Sequence, residues 1–117
     1  MANEQQLSIL KQGVKVWNNW RQASREVVDL SEANLSGAQL RKADLHNVDL
    51  SEANLTDADL TWANLSGTNL TGAVLTGVNL SEAENIRKAI LTRAKLSQVD
   101  LSGMDLREAS LEEADLG

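Results

Sequence analysis

Leucine returns at every fifth position for eleven consecutive steps of this chain, and this period restricts the possible folds more than any other feature. The series runs from Leu30 to Leu80 and, after a one-residue slip near 83–86, resumes at Ile86 and continues to Leu116, giving 18 repeats. On an α-helix, five steps of about 100° carry each side chain ~140° around the axis, so no apolar stripe forms. On a straight strand, an odd period places successive leucines on opposite faces. The chain therefore has to turn once in every repeat.

The other positions of the repeat divide into one apolar and three polar sites. The residue two before the leucine shares its face and is usually alanine or valine, as at Ala33, Ala53 and Val78. Asp or Asn precedes most of the leucines and Ser or Thr follows many of them, and these residue types bend the backbone readily. The pattern predicts a solenoid whose stacked repeats bury a continuous core.

Several repeats resemble the A-(D/N)-L-x-x unit of the pentapeptide repeat family: Ala33-Asn34-Leu35-Ser36-Gly37, Ala53-Asn54-Leu55-Thr56-Asp57, Ala58-Asp59-Leu60-Thr61-Trp62 and Ala63-Asn64-Leu65-Ser66-Gly67. The resemblance covers about residues 28–117. It implies an all-β solenoid, a right-handed quadrilateral parallel β-helix in which four repeats make one coil. The 18 repeats then give about 4.5 coils, and at a spacing of about 4.8 Å the rod is roughly 22 Å long. The chain is similar to short bacterial members of the family with an N-terminal helical cap.

Residues 1–27 are expected to form a capping α-helix, and residues 28–117 the β-helix. Asn3 followed by Gln6 is typical of a helix start, and five apolar residues recur at helical spacing: Leu7, Leu10, Val14, Trp17 and Trp20. A basic helix carrying tryptophan could instead lie on an anionic membrane. The segment has only four basic residues and the first coil needs a cover, so we favour the cap over the membrane.

Composition fits one cytoplasmic protein. The 117 residues include no cysteine, which excludes a disulfide. The N-terminus lacks the basic start and apolar run of a signal peptide, and no apolar stretch reaches the length of about 18 residues that a membrane span needs.

Charge is divided unevenly along the chain. The net charge is −6, the first 28 residues carry +2, and the repeats therefore carry −8. Some members of the resembled family mimic a DNA duplex and occupy the DNA-binding saddle of gyrase, so an acidic DNA mimic is the alternative function. Three features argue against it: the rod is short, seven Lys or Arg residues interrupt it, and no C-terminal helix follows Leu116. Aspartate before leucine also makes any such rod acidic.

No catalytic, metal or cofactor site is expected. His46 is the only histidine and has no cysteine to join as nucleophile or ligand. Asp57 and Asp59 could attract a cation, but a convex wall offers no cage of oxygens, so only adventitious binding is predicted. The glycines of the repeats follow the repeat period and form no phosphate-binding loop.

Departures from the repeat are the candidate partner-binding residues. Trp62 is predicted to face outward, and Lys42 lies one coil back on the same side. The pair is either a cation–π decoration of the wall or an anchor for a partner, since tryptophan is enriched at interfaces.

The slip is followed by a second candidate group: Arg87, Lys88, Arg93 and Lys95. We expect a bulge at the slip. The four basic residues either form salt bridges with Glu82, Glu84 and Asp100 or make a docking patch. The absence of interleaved aromatic residues and the acidic background argue against nucleic acid.

The last candidates are Leu106, Leu111 and Leu116, which are expected to lie uncovered on the final coil and to favour a homodimer. Together these observations predict a non-catalytic rigid scaffold for protein–protein interaction, docking a partner or a second copy through its walls or its last coil. The sequence does not identify the partner.

Overall fold

Parallel β-bridges join residues that lie 20 positions apart along most of the repeat region. The computed structural model describes residues 1–83, 86–102, 106 and 109–117, with no description of the Arg87 side chain. Asp29 is bridged to Asp49, and Asp49 is bridged to Asn69. Because 20 residues are four repeats, one coil contains four repeats. In the described residues the coils are joined by isolated bridges rather than by extended strands.

The bridged residues define four walls, which we name in chain order. They are wall A (Asp29, Asp49, Asn69, Ile90, Ser110), wall B (Asn34, Asn54, Val74, Lys95, Asp115), wall C (Gln39, Asp59, Asn79) and wall D (Asp44, Asn64). The register is 21 for the two bridges that span the slip, Asn69 with Ile90 and Val74 with Lys95, and is 20 again from Ile90 to Ser110 and from Lys95 to Asp115. A short 3-10 helix, Ile86–Lys88, occupies this part of the chain, and Ile86 is buried in the place of a leucine.

Leucine side chains form the core between the walls. Every position of the leucine series from Leu30 to Leu96 is buried, together with most of the alanines and valines that share its face, such as Ala53 and Val78, while Ala38 and Ala83 are partly buried. Thr68 replaces an alanine at one inward position, and its hydroxyl donates a hydrogen bond to the Leu45 carbonyl at 2.8 Å. The buried hydroxyl therefore has a partner.

Most of the described corners are tight turns closed by a backbone hydrogen bond, and those that follow Asp or Asn have a side-chain hydrogen bond as well. At the first corner the N–H of Ala33 donates to the Leu30 carbonyl, and Glu32 has φ 62°, which fits a type II turn. Asp29 Oδ1 accepts from the N–H and the hydroxyl of Ser31 at 2.9 and 2.7 Å. The same arrangement recurs around the rod, for example between Asn54 and Thr56. The Asp or Asn before leucine therefore holds the corner.

Two helices precede the first coil: α1 spans Glu4–Lys11 and α2 spans Val14–Ala23. The single helix expected over this segment is therefore a pair. Gly13, at φ 117°, separates the two helices in a conformation that L residues rarely adopt. Asn3 caps α1 by accepting from the Gln6 N–H, as its position predicts. Buried Leu7, Leu10 and Trp17 belong to the same core as the first coil, while Val14 and Trp20 are partly buried against it.

Candidate interaction surfaces

The edge of the first coil on wall A is closed by the side chain of Gln6. In later coils the residue before leucine donates its N–H to the preceding coil, as Asp49 does to the Val28 carbonyl at 3.0 Å. At Asp29 this acceptor is Gln6 Oε1, at 2.8 Å, and Gln6 Nε2 donates to the Val27 carbonyl at 3.0 Å. The Gln6 side chain thus replaces the backbone acceptor, and the N–H of Asn3, which donates to the Asp29 carbonyl at 2.8 Å, replaces the backbone donor. Sequence reasoning assigned Gln6 only to the helix start.

Wall D is closed in the same way by α2. Asn18 Oδ1 accepts from the Asp44 N–H at 2.8 Å, and Asn18 Nδ2 donates to the Lys42 carbonyl at 3.0 Å. The Asp44 carbonyl accepts from the indole N–H of Trp17 at 2.8 Å. The helix α2 thus meets wall D through polar groups as well as through the buried ring of Trp17.

Walls B and C differ at this edge. Asn34 and Gln39 are the residues of the first coil that correspond to Asp29 and Asp44, and both are exposed. Within the described part of the chain, their backbone N–H and C=O groups have no hydrogen-bond partner. Residues 33–40 therefore present an unpaired backbone edge, which we call the open edge.

His46 lies in a polar cluster that joins α2 to wall D. Its Nδ1 is 2.5 Å from Asp44 Oδ1, and Arg21 contacts both Nδ1, at 2.9 Å, and the His46 carbonyl. Burial lowers the pKa of Arg21, and the nearby charge of Asp44 acts in the opposite direction. The contacts of His46 connect the cap to the first coil.

Trp62 stands at the corner between walls C and D with φ 63°, and 45% of it is exposed. Among the described corners, nine other non-glycine residues share this positive φ, Glu52 and Asp57 among them, and four corners hold glycine: Gly37, Gly67, Gly72 and Gly77. Lys42 and Glu82 are the corresponding corner residues of the adjacent coils, and both are exposed. No cation–π contact joins Lys42 to Trp62 among the described residues.

The basic residues after the slip are spread around the coil. Lys88 and Arg93 are exposed on either side of Ile90 of wall A, whereas Lys95 belongs to wall B. The Arg87 side chain, like Glu84, lies outside the description. Among the described side chains, Lys88, Arg93 and Lys95 form no salt bridge with Glu82 or Asp100, and the close oppositely charged contact is that of the Met1 amino group with Glu32.

The last coil is less covered than the others. Leu106 and Leu111 are partly buried, and Leu116 is 60% exposed.

Hydrogen bonds stabilise the charged form of several surface aspartates. The hydroxyl and N–H of Ser31 lower the pKa of Asp29, and those of Thr61 lower the pKa of Asp59. No group of three potential metal-ligating side chains occurs among the residues described. No helix in that part of the chain is long and apolar enough to cross a membrane.

A solenoid of five-residue repeats with an inward leucine and hydrogen-bonded polar corners defines a class of β-solenoid repeat protein. The sequence profile of pentapeptide repeats, with eight copies, matches residues 28–57, 53–98 and 89–117. The chain belongs to the pentapeptide repeat family, as the A-(D/N)-L-x-x units indicate. Among curated proteins no sequence matches it.

Several solved structures are similar to the chain. HetL, a pentapeptide repeat protein involved in heterocyst differentiation regulation in the cyanobacterium Nostoc sp. strain PCC 7120, is 35% identical over 74% of this chain and 38% of its own, with a TM-score of 0.45. Rfr23 from the cyanobacterium Cyanothece 51142 is 33% identical over 80% and 63%, with a TM-score of 0.43. Full-length QnrB1, a plasmid-mediated fluoroquinolone resistance protein, is 19% identical over 72% and 67%, with a TM-score of 0.43. The chain thus spans less than two thirds of HetL and of Rfr23.

Proposed function

We propose that this protein is a non-catalytic, rigid scaffold that docks a partner protein through its outer surface, with Trp62 as the anchor. The rod is a right-handed, four-sided β-helix of about 4.5 coils with a helical cap, in keeping with the four-repeat register of its bridges. Its interior is filled by leucine and alanine side chains, so binding takes place on the outside.

The size and exposure of Trp62 carry the proposal: 45% of the residue is exposed, and every other described residue with the corner conformation is polar or glycine. The φ of Trp62 costs roughly 1–2 kcal/mol relative to ordinary backbone, but nine other non-glycine corner residues, such as Glu52, share that conformation, so the strain does not distinguish this position. Tryptophan also offers a large apolar surface at an accessible place, which suits an interface anchor.

The alternative of an acidic DNA mimic has less support. Aspartates such as Asp29 and Asp59 accept hydrogen bonds that hold corners, so their presence has a structural cause. Exposed cations interrupt the surface at Lys42, Lys88 and Arg93. A mimic would inhibit gyrase supercoiling with strong salt dependence, whereas an apolar anchor would respond little to salt.

Site-specific photo-cross-linking tests the proposal. A photoreactive phenylalanine analogue is placed at position 62 or, as a control, at position 52, an exposed corner with the same backbone conformation. In cells of the source organism we expect a discrete protein adduct at position 62 that is absent at position 52. Adducts of equal pattern at both positions, or none at 62, would refute the anchor.

A further inference from the structure

We infer that the open edge, residues 33–40, binds an extended acidic segment of a partner protein by adding it to walls B and C. The inference rests on the proposed docking function and specifies the kind of segment bound. An unpaired edge is a template for an added strand, and main-chain hydrogen bonds supply the affinity in that mode of recognition.

The hydrogen bonds of the next coil show what the open edge can accept. Asn54 donates its N–H to the Ala33 carbonyl at 2.9 Å and accepts from the Leu35 N–H at 2.7 Å. The corresponding groups of Asn34, its N–H and C=O, are directed to the opposite side of the same coil, where no described residue pairs with them. An extended segment can form there the bonds that Asn54 forms on the other side.

The cap leaves this part of the edge accessible although it covers the core. Leu35 and Leu40 are buried, whereas Asn34, Gly37 and Gln39 are exposed. Gln6 and Asn18 close walls A and D with side-chain amides. The chain thus satisfies two sides of its first coil and leaves two adjacent sides to another polypeptide.

Charge indicates an acidic occupant. Residues 33–42 contain two cations, Arg41 and Lys42, and no acidic residue. Both cations are exposed, and neither forms an ion pair within the described part of the chain. Glu32, at the other end of the edge, is already paired with the Met1 amino group at 3.0 Å. The pKa of Asp59, which is bridged to Gln39, is lowered mainly by hydrogen bonds from Thr61 and to a smaller extent by the charge of Arg41.

Two substitutions of Gln39 test whether its backbone N–H binds the partner segment. No internal hydrogen bond uses its backbone N–H or its side chain within the described residues, so proline at this position removes an unpaired donor without breaking an existing bond. Gln39→Ala keeps the N–H and serves as the matched control. Urea unfolding of both variants shows whether the fold is retained.

The probe is a synthetic peptide of residues 53–60 with blocked ends, because this segment already pairs with the opposite side of residues 33–40. It carries two aspartates, and a second peptide with Asp57→Lys and Asp59→Lys reverses its charge. Binding is followed by the amide NMR signals of the full-length, isotope-labelled protein. We expect the acidic peptide to shift the signals of Asn34, Gly37 and Gln39. The Gln39→Pro variant should bind this peptide at least tenfold more weakly, and the parent should bind the basic peptide at least tenfold more weakly than the acidic one. The affinity of Gln39→Ala for the acidic peptide should change little.

Four results would overturn the inference: no shift at the open edge up to millimolar peptide, shifts located elsewhere, equal binding of the two peptides, or equal binding by the proline and alanine variants. Amides of residues 33–40 that become protected from exchange only as protein concentration rises would identify a second copy as the occupant, which also refutes it. The peptide titration reports on the open edge, whereas the cross-linking experiment reports on position 62. The further inference and the proposed anchor can therefore be refuted independently.

Discussion

Gln6 Oε1 accepts a hydrogen bond from the backbone N–H of Asp29 at 2.8 Å, in the place where later coils use a backbone carbonyl. The amide nitrogen of the same side chain donates to the Val27 carbonyl at 3.0 Å. One glutamine therefore binds two backbone groups at the start of the first coil, while the Asp29 carbonyl accepts from the backbone N–H of Asn3 at 2.8 Å. The start of the solenoid depends on a polar side chain of the cap as well as on its apolar face.

Gln6→Ala is expected to destabilise the protein by about 1–3 kcal/mol, because a partly buried N–H and carbonyl lose their partners. Urea unfolding followed by circular dichroism measures the change. Gln5→Ala, an exposed position on the same helix, is the control and should alter stability by less than about 0.5 kcal/mol. Equal midpoints for the two variants would contradict the role of Gln6.

Substitution of two corner glycines by alanine distinguishes the cost of backbone strain from the cost of side-chain crowding. Gly37 has φ 68° and nothing within 4 Å of an added Cβ, whereas an added Cβ at Gly67, φ 69°, would lie 2.0 Å from Asn47 Oδ1. Gly37→Ala should cost about 1–2 kcal/mol from backbone strain alone. Gly67→Ala should lower the free energy of unfolding by roughly 0.5–1.5 kcal/mol more than Gly37→Ala does, because the Asn47 side chain must move to another rotamer.

The excess cost at Gly67 should disappear when Asn47→Ala is combined with Gly67→Ala. Denaturant unfolding of the single and double variants gives this comparison. If Gly67→Ala still destabilises the protein more than Gly37→Ala when the Asn47 side chain is absent, the additional destabilisation comes from the backbone and not from crowding.

Much of the fold could be predicted because the signal repeats. The five-residue period places Leu55 and Leu75 inside whatever their local neighbours are, and both are fully buried. The structure of the N-terminal segment was harder to predict, because a single residue, Gly13, separates α1 from α2. Gln6 and Asn18 look like ordinary solvated helix residues, and their role depends on contacts with residues more than 20 positions away.

Trp62→Gly is expected to be more stable than Trp62→Ala by about 1–2 kcal/mol, because both variants lose the ring but only glycine adopts φ 63° without strain. Thermal and urea unfolding measure the difference. At Asn19, an exposed position within α2, the order should reverse, with glycine about 1 kcal/mol less stable than alanine. An alanine variant at position 62 as stable as the glycine variant would mean that this corner stores no strain.

Acid should weaken the rod through its corner aspartates. The pKa of Asp59 is held below its ordinary value of 3.8 by hydrogen bonds from Thr61. A carboxyl whose folded pKa is depressed adds stability above its unfolded pKa and loses it as pH falls through the folded pKa, so the loss should occur below about pH 4. Asp59→Asn keeps the acceptor, as Asn54 does for Thr56, and should lose less melting temperature between pH 7 and pH 3 than the parent. An equal loss would mean that Asp59 does not contribute to the acid sensitivity.

The exposed leucines of the last coil are expected to support self-association, since Leu111 is only partly buried and Leu116 is 60% exposed. Light scattering coupled to size exclusion should show a dimer for the parent and a monomer for Leu111→Lys, because a charged side chain cannot be buried without a partner. Leu116→Lys, at the more exposed position, is a second variant that tests the same surface with less disturbance of the core. Circular dichroism shows whether both variants keep the fold. Trp62→Ala should leave the dimer unchanged because it lies on a different surface. A parent and a Leu111 variant of identical size would refute pairing through this coil and leave the walls and the open edge as the docking surfaces.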